Sequence, residues 1–525
     1  MFNKGNIPLV ASVLLAIAAS GTAFYIWHPI LDSWWYITDD YRWPTILGPD
    51  RTLTFAEFIQ NCNPPDWHLG SKVNRPSYYF TTSLLMYCFG DSIVWWNATR
   101  IAMMSFALGA TTWVVARMSG PIAAVSFILL GFHSLWLDAL PRLQSELFAA
   151  FGLAMLALSL WCLNATLGSS HFRRFRAFFL FTTTAAALYS AGSKENTTVL
   201  IAALSGVAFS ASFITQAGLV RAVRFPAFLA LVWSAILLLF IRNGLSSSGT
   251  DLYGRPLFSD ETLSFFLGGV IDTPWFFALS LASLFALLLL RLSRTVAQSA
   301  ALRNAVVSNA VGQLLLLGYS GFLVVFYRGE IPTITCRYQF PYVYLPYIGV
   351  AFFLFQFRRA APVRSIVTAT VCMLIGAALA VSAHFSVVRA GSYLSNIDGA
   401  RRYTDATNRF QTRILELVYA AQGSPSSPIE FCSFGFNDFE PLASVDLFLK
   451  ANGCQNPIYL SISGYSEETV SNPSERYLLQ LTRGFYTSGR FLRPEEMPAD
   501  PPPIRANFSR EDLSNGAVAN YWPLW

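Results

Sequence analysis

The chain has 525 residues, of which 54% are hydrophobic and 13% charged, with a formal net charge of +6 and a mean hydropathy of +0.44. So apolar a composition excludes an ordinary water-soluble globular domain and predicts a polytopic membrane protein. The small basic excess follows from membrane topology, and with no basic stripe interleaved with aromatics outside the membrane loops, no nucleic-acid partner is expected.

Crossing a bilayer takes about 20 apolar residues. Such segments lie near 7–28, 95–116, 121–138, 146–163, 177–192, 197–216, 225–241, 263–290, 306–327, 338–357 and 365–388, about eleven in all. The first has Lys4 before it and no small-residue cleavage site leading into a soluble chain, which predicts a retained span. Short loops rich in Lys and Arg stay in the cytoplasm. Placing the N-terminus there puts Lys4, Arg117, Arg173, Arg174, Arg176, Arg221, Arg224, Arg291, Arg294, Arg303, Arg358, Arg359 and Arg364 on that side. Asp39, Asp40, Asp138, Glu146, Glu195, Asp251, Glu261 and Glu330 then fall on the opposite side.

After the first span comes a long extracytoplasmic loop, 29–94. It opens with LDSWWYITDDYRW, in which Asp39 and Asp40 sit among Trp34, Trp35, Tyr36, Tyr41 and Trp43. Such aromatics favour a membrane–water boundary. Two carboxylates there point to cation binding or base catalysis, with a solvated acidic loop as the plainer reading. The middle of the loop, PDRTLTFAEFIQNCNPPDWHLGSKVNRP, is polar and interrupted by prolines; Arg75 is its next-to-last residue. The following SYYFTTSLLMYCFG is apolar but too short to cross, which predicts a helix lying in the interface.

Between the third and fourth spans, LDALPRLQSE places Asp138, Arg142 and Glu146 at intervals of four around a helix end. Capping or solvation at the membrane edge accounts for them as well as a site does. GSKENTT sets Lys194 and Glu195 side by side before the sixth span. A Gly- and Ser-rich loop from Arg242 to Glu261 carries Asp251, Tyr253 and Arg255, and suits a lid or a plain connector. The last such turn holds Arg328 and Glu330, with Arg337 and Tyr338 at the mouth of the tenth span, where a cation needs an anion near it.

From 389 to 525 the composition turns polar. PIEFCSFGF and NPIYLSISGY read as strands and RRYTDATNRFQTRILELVYAAQ as a helix, predicting a separate α/β domain. It contains no nucleotide loop, no GxSxG elbow and no Ser/His/Asp set. The seven cysteines follow no metal spacing. Cys432 and Cys454 suit either a disulfide or two thiols.

The order of these features resembles the GT-C superfamily of polyprenyl-phosphate-sugar glycosyltransferases, such as protein O-mannosyltransferases and the lipid A aminoarabinose transferase. Asp39-Asp40, then NRPSYYFTTSLLMYCFG, then LDALPRLQSE carry the likeness, which covers about 1–388. It implies a transmembrane catalytic domain over 1–388, an extracytoplasmic domain over 389–525, and a location in the bacterial inner membrane. It also implies a polyprenyl-phosphate-linked sugar donor and a glycan acceptor, O-antigen or lipopolysaccharide in preference to protein. Asp39 or Asp40 is then the catalytic base. Arg142, Lys194, Arg337, Arg255 and Arg75 are candidates for the donor phosphate, and Asp138, Glu146, Glu195 and Tyr338 for acceptor or supporting contacts. The chain departs from the aminoarabinose and mannosyl patterns in spacing and in having no lysine near the aspartate pair. No cofactor is expected, a divalent cation at Asp39 and Asp40 being the alternative left open. A lipid-linked saccharide transporter, an O-antigen polymerase or ligase, and a receptor are the competing readings.

Overall fold

A computed structural model describes residues 9–32, 46–47, 51–62, 74–121, 124–125, 127–128, 144–168, 172–214 and 218–248. It also describes isolated positions between 306 and 318 and between 408 and 416, and five short strands between 429 and 507. The chain divides into two compact units. The first comprises Met1–Tyr25, Asn63–Tyr79 and Arg100–Ser395; the second comprises Ile26–Cys62, Phe80–Thr99 and Asn396–Trp525.

The helices are α1 (Leu9–Trp27), α2 (Phe55–Asn61), α3 (Pro76–Phe89), α4 (Ile93–Ser119), α5 (Gln144–Gly168), α6 (Arg176–Ala191), α7 (Glu195–Ile214), α8 (Gly218–Ala222) and α9 (Arg224–Ser248). Among the described residues, five stretches are long and apolar enough to cross a membrane: Leu9–Asp32, Ile93–Ser119, Ser145–Gly168, Glu195–Phe213 and Arg224–Gly244. The described part of the chain is therefore that of a helical, membrane-embedded protein. The expected span at 177–192 corresponds to α6, whose 16 residues reach about 24 Å at 1.5 Å per residue. The expected spans from 263 onward lie outside the described helices, as does most of 121–138.

In the first unit α5 packs on α6, α6 on α7, and α9 against both α6 and α7. Lipid offers apolar side chains no less comfort than protein does, so helices associate in a membrane through close packing of small residues. The sequence supplies them. Ala187, Ala191, Ile201, Ala230 and Leu237 form a buried cluster, with Leu153, Leu156 and Trp233 packed against it. A Cβ at Gly152 would lie 2.6 Å from Ser190 Oγ and 3.3 Å from Ser190 Cα, so α5 and α6 meet backbone to backbone there. Two turns further along, Thr183 Oγ1 donates to Ser159 Oγ at 3.2 Å. Ser20 Oγ on α1 donates to the Ser105 carbonyl on α4 at 2.9 Å.

Cations close the far ends of these helices. Arg224 donates through Nε to Ser212 Oγ at 2.9 Å and through Nη2 to the Ser212 carbonyl at 2.8 Å. Its guanidinium lies 4.3 Å from the Phe213 ring centroid. A cation on the last carbonyls of α7 suits the negative end of the helix dipole. Arg117, in the last turn of α4, lies over the Trp161 ring at 5.8 Å.

In the second unit the five strands are β1 (Ile429–Ser433), β2 (Ile458–Ile462), β3 (Phe485–Thr487), β4 (Arg490–Leu492) and β5 (Ile504–Asn507), in sheet order β4-β3-β2-β1-β5. β1 pairs in parallel with β2, Ile429 opposite Ile458, and with β5, Ile429 opposite Ile504. β3 and β4 add as an antiparallel pair beside β2. β1 and β2 fall inside the two segments read as strands. Of the helix expected between Arg401 and Gln422, Thr412 Oγ1 donates to the Asn408 carbonyl at 2.9 Å, a helical spacing. Other helices of an α/β unit fall outside the described residues, as does the pairing of Cys432 with Cys454.

Candidate functional site

Three helix starts in the first unit, those of α3, α5 and α7, meet at one place. α5 and α6 form an antiparallel pair, so two passes of chain bring the start of α7 back to the start of α5. The Arg75 carbonyl accepts the Tyr79 N–H at 3.1 Å, making Arg75 the residue that opens α3. The Lys194 carbonyl accepts the Thr198 N–H at 2.9 Å, so Lys194 opens α7 in the same way. Both cations thus stand where the helix dipole is positive and repels them. What offsets this is a glutamate in the first turn of α5, Glu146, and one at the start of α7, Glu195.

The pairing is specific. Arg75 forks onto Glu195, with Nε donating to Oε1 at 2.7 Å and Nη2 to Oε2 at 2.9 Å. Lys194 Nζ is paired with Glu146 Oε1, and Ser145 Oγ donates to Glu146 Oε2 at 2.8 Å. Glu146 and Lys194 are each 2% exposed and Glu195 1%, whereas the Arg75 side chain retains 23%. The two cations and two acids sum to zero, as groups so far from water require. Further contacts lock the three helix starts together. Ser77 N–H donates to the Gly192 carbonyl at 2.9 Å, and the Tyr78 ring lies 6.0 Å from that of Phe148.

Gly192 is glycine because α3 leaves it no room. A Cβ there would meet Ser77 Oγ and come within 3.1 Å of Pro76 Cγ and 3.2 Å of Ser77 N. Gly192→Val is therefore expected to push the Asn74–Ser77 segment off the α6–α7 corner and to cost about 1–3 kcal/mol, as overpacking usually does. Melting of the detergent-solubilised protein would record it, and an unchanged midpoint would refute the contact.

Beside Arg75 stands Asn74, fully buried, with neither Nδ2 nor Oδ1 hydrogen-bonded among the described residues. An unpaired buried amide destabilises by about 1–3 kcal/mol. Asn74→Leu, similar in volume and free of polar atoms, is expected to raise the melting midpoint. A fall would mean that the amide is satisfied in the membrane.

Among the residues singled out from sequence, the structure brings Arg75, Glu146, Lys194 and Glu195 into one cluster. Asp39, Asp40, Asp138, Arg142, Arg255, Arg337 and Tyr338 lie outside the described residues. Sequence reasoning missed Ser145, Gly192 and Asn74. The glycine before Ser193-Lys194-Glu195 was the available signal, since a small residue at a helix corner often marks close approach of backbone. Among the described residues no group of three or more His, Cys, Asp and Glu is placed to hold a metal ion. Cys62, at the end of α2, has its thiol pushed above the usual value by burial, which makes it a poor nucleophile.

The comparisons with known proteins are negative throughout. No family model, curated protein or solved structure matches this chain. The residues themselves therefore carry the functional reading.

Proposed function

We propose that the chain is a membrane glycosyltransferase that moves a sugar from a polyprenyl-phosphate donor to a hydroxyl of a cell-surface glycan, of the O-antigen or lipopolysaccharide kind, on the extracytoplasmic face. The observation that supports this reading best is the convergence of three helix starts on Arg75 and Lys194. Each helix N-terminus contributes roughly half a positive charge, and the four ionised side chains cancel. The place therefore keeps a positive field at the ends of membrane helices. A lipid phosphate, whose prenyl tail lies in the bilayer, suits such a field. Arg75, the most accessible of the four, is the group assigned to the phosphate.

In this reading Asp39, with Asp40 as orienting or alternative base, takes the proton of the acceptor hydroxyl as its oxygen bonds to the anomeric carbon. The bond from that carbon to the phosphate oxygen breaks, and its electron pair leaves with the polyprenyl phosphate. Positive groups that tighten on the leaving oxygen lower the barrier. Arg142, Arg255 and Arg337 are further phosphate candidates, and Asp138, Glu146, Glu195 and Tyr338 serve the acceptor or its surroundings. Arg117, Arg173, Arg174, Arg176, Arg221 and Arg224 cluster at the helix ends away from the Arg75–Glu195 pair, which supports a cytoplasmic assignment for that end. The inner membrane and a periplasmic tail follow from the same reading.

The acids argue against transport as the main activity. Glu146 and Glu195 sit in the first turns of their spans, whereas acids buried at mid-span would favour transport. Mass spectrometry of surface glycans from cells with and without the gene tests the proposal. A gene-dependent hexose- or pentose-sized mass is expected, and identical glycans would overturn it.

A further inference from the structure

Residues 51–62 belong to a stretch that reads as a polar connector, yet its helix turns large apolar side chains outward. Thr54 and Glu57 form a reciprocal cap: Thr54 Oγ1 accepts the Glu57 N–H at 3.3 Å, and Glu57 Oε2 accepts the Thr54 N–H at 2.8 Å. The helix so fixed has two faces. Phe55 and Ile59, four residues apart and 64% and 52% exposed, lie on one; Glu57, Gln60 and Asn61 lie on the other. Between them Phe58 turns inward, its ring 5.4 Å from Tyr87 and 6.0 Å from Phe80 on α3.

The apolar surface does not end with α2. Phe80 and Tyr87 are themselves exposed, and the Phe55 ring lies edge-on to Tyr87 at 6.3 Å. Phe89 then stacks at 6.0 Å on Trp95, an exposed residue in the first turn of the membrane-crossing helix α4. The surface is held in place at the same corner. Arg51 Nε pairs with Asp91 at 3.0 Å, and Gly90, at φ +57°, would bring a Cβ within 2.7 Å of the Arg51 carbonyl oxygen. Exposed apolar patches of this kind mark an interaction surface. Continuity with a helix that itself enters lipid identifies the partner, because aromatic side chains beside a helix mouth sit at the headgroup level.

We propose that α2 and the exposed face of α3 form a bilayer-binding surface, with Phe55 and Ile59 inserted among acyl chains beside the mouth of α4. This goes beyond the glycosyltransferase reading and does not depend on it. A short amphipathic helix of this kind lies in the plane of the membrane and holds its loop there.

Site-directed spin labelling tests the proposal on the full chain in phosphatidylethanolamine–phosphatidylglycerol liposomes. Phe55→Cys, Ile59→Cys, Gln60→Cys and Asn61→Cys each carry one nitroxide in a background with the native cysteines replaced by serine. The ratio of oxygen to nickel-chelate accessibility is expected to be about fivefold or more higher at 55 and 59 than at 60 and 61, since an apolar face buried in the acyl boundary meets oxygen and excludes the chelate. Equal ratios would overturn the proposal. So would labels at 55 and 59 shielded from both reagents, which would place a protein partner or a second copy of the chain there. Should the cysteine-free background not fold, benzoylphenylalanine at 55, 59 and 60 in the native chain gives the same decision. Lipid adducts at 55 and 59 but not 60 support insertion, and protein adducts or none at 55 and 59 refute it.

Discussion

Lys194→Met is expected to remove most folded protein from detergent extracts, and Glu146→Leu to do the same. Each leaves one charge buried without its partner. Breaking a buried ion pair from one side costs about 3–5 kcal/mol, whereas replacing both partners with apolar residues is often neutral. The double variant Lys194→Met with Glu146→Leu is therefore expected to recover the monodisperse size-exclusion peak that each single change loses. The recovery separates a pairing role from two unrelated packing defects, since the latter would add. Double-variant yields at or below those of the singles would show that the lysine and glutamate do not answer one another. The Arg75–Glu195 fork is expected to respond more mildly, because the Arg75 side chain keeps 23% of its surface in contact with its surroundings and an arginine left alone there finds other acceptors.

On the glycosyltransferase reading proposed above, Asp39→Asn is expected to lower sugar transfer by about 10²–10⁴-fold, the usual range for a positioned proton acceptor, while leaving expression and melting unchanged. The amide keeps the shape and loses the basic oxygen. Transfer measured in liposomes with the purified variant is the deciding observation, and unaltered turnover removes the base assignment. The two experiments divide the molecule's charges by what they do. Variants at Lys194 and Glu146 should fail in folding and leave no folded protein to assay, whereas on the proposed reading Asp39→Asn should fail in turnover with the fold intact.

What the sequence made legible follows from the range over which each signal acts. Membrane helices need only a local run of apolar residues, so α1, α4, α5, α7 and α9 lie at or near the segments where such runs occur. The strands Ile429–Ser433 and Ile458–Ile462 were readable for the same reason, as short β-rich runs between turn residues. α2 carries a local signal too, since a threonine followed three residues later by glutamate marks a helix start. The prolines and polar residues around it outweighed that signal.

The pairing of charges was not legible. Arg75 and Glu195 are separated by 120 positions, and nothing in the neighbourhood of either names the other. Lys194 beside Glu195 looked like a surface pair. In the fold each turns to a different partner, because the start of α7 is wedged between the starts of α3 and α5. Adjacent opposite charges therefore do not report their own interaction when the backbone between them opens a helix. The capping geometry directs each side chain outward from the axis at a different azimuth.

The order of the sheet has a consequence for synthesis. Of the described strands β1 is the earliest to leave the ribosome, yet one of its two neighbours, β5, comes from Ile504–Asn507, after the other four. Until then the nascent domain offers a bare row of amides and carbonyls along Ile429–Cys432, the kind of edge on which chains nucleate intermolecular pairing. Folding of the tail is in this sense postponed to its last moments of elongation, and a frameshift or nonsense codon shortly before residue 504 would yield a product with a sticky margin that the finished domain never shows.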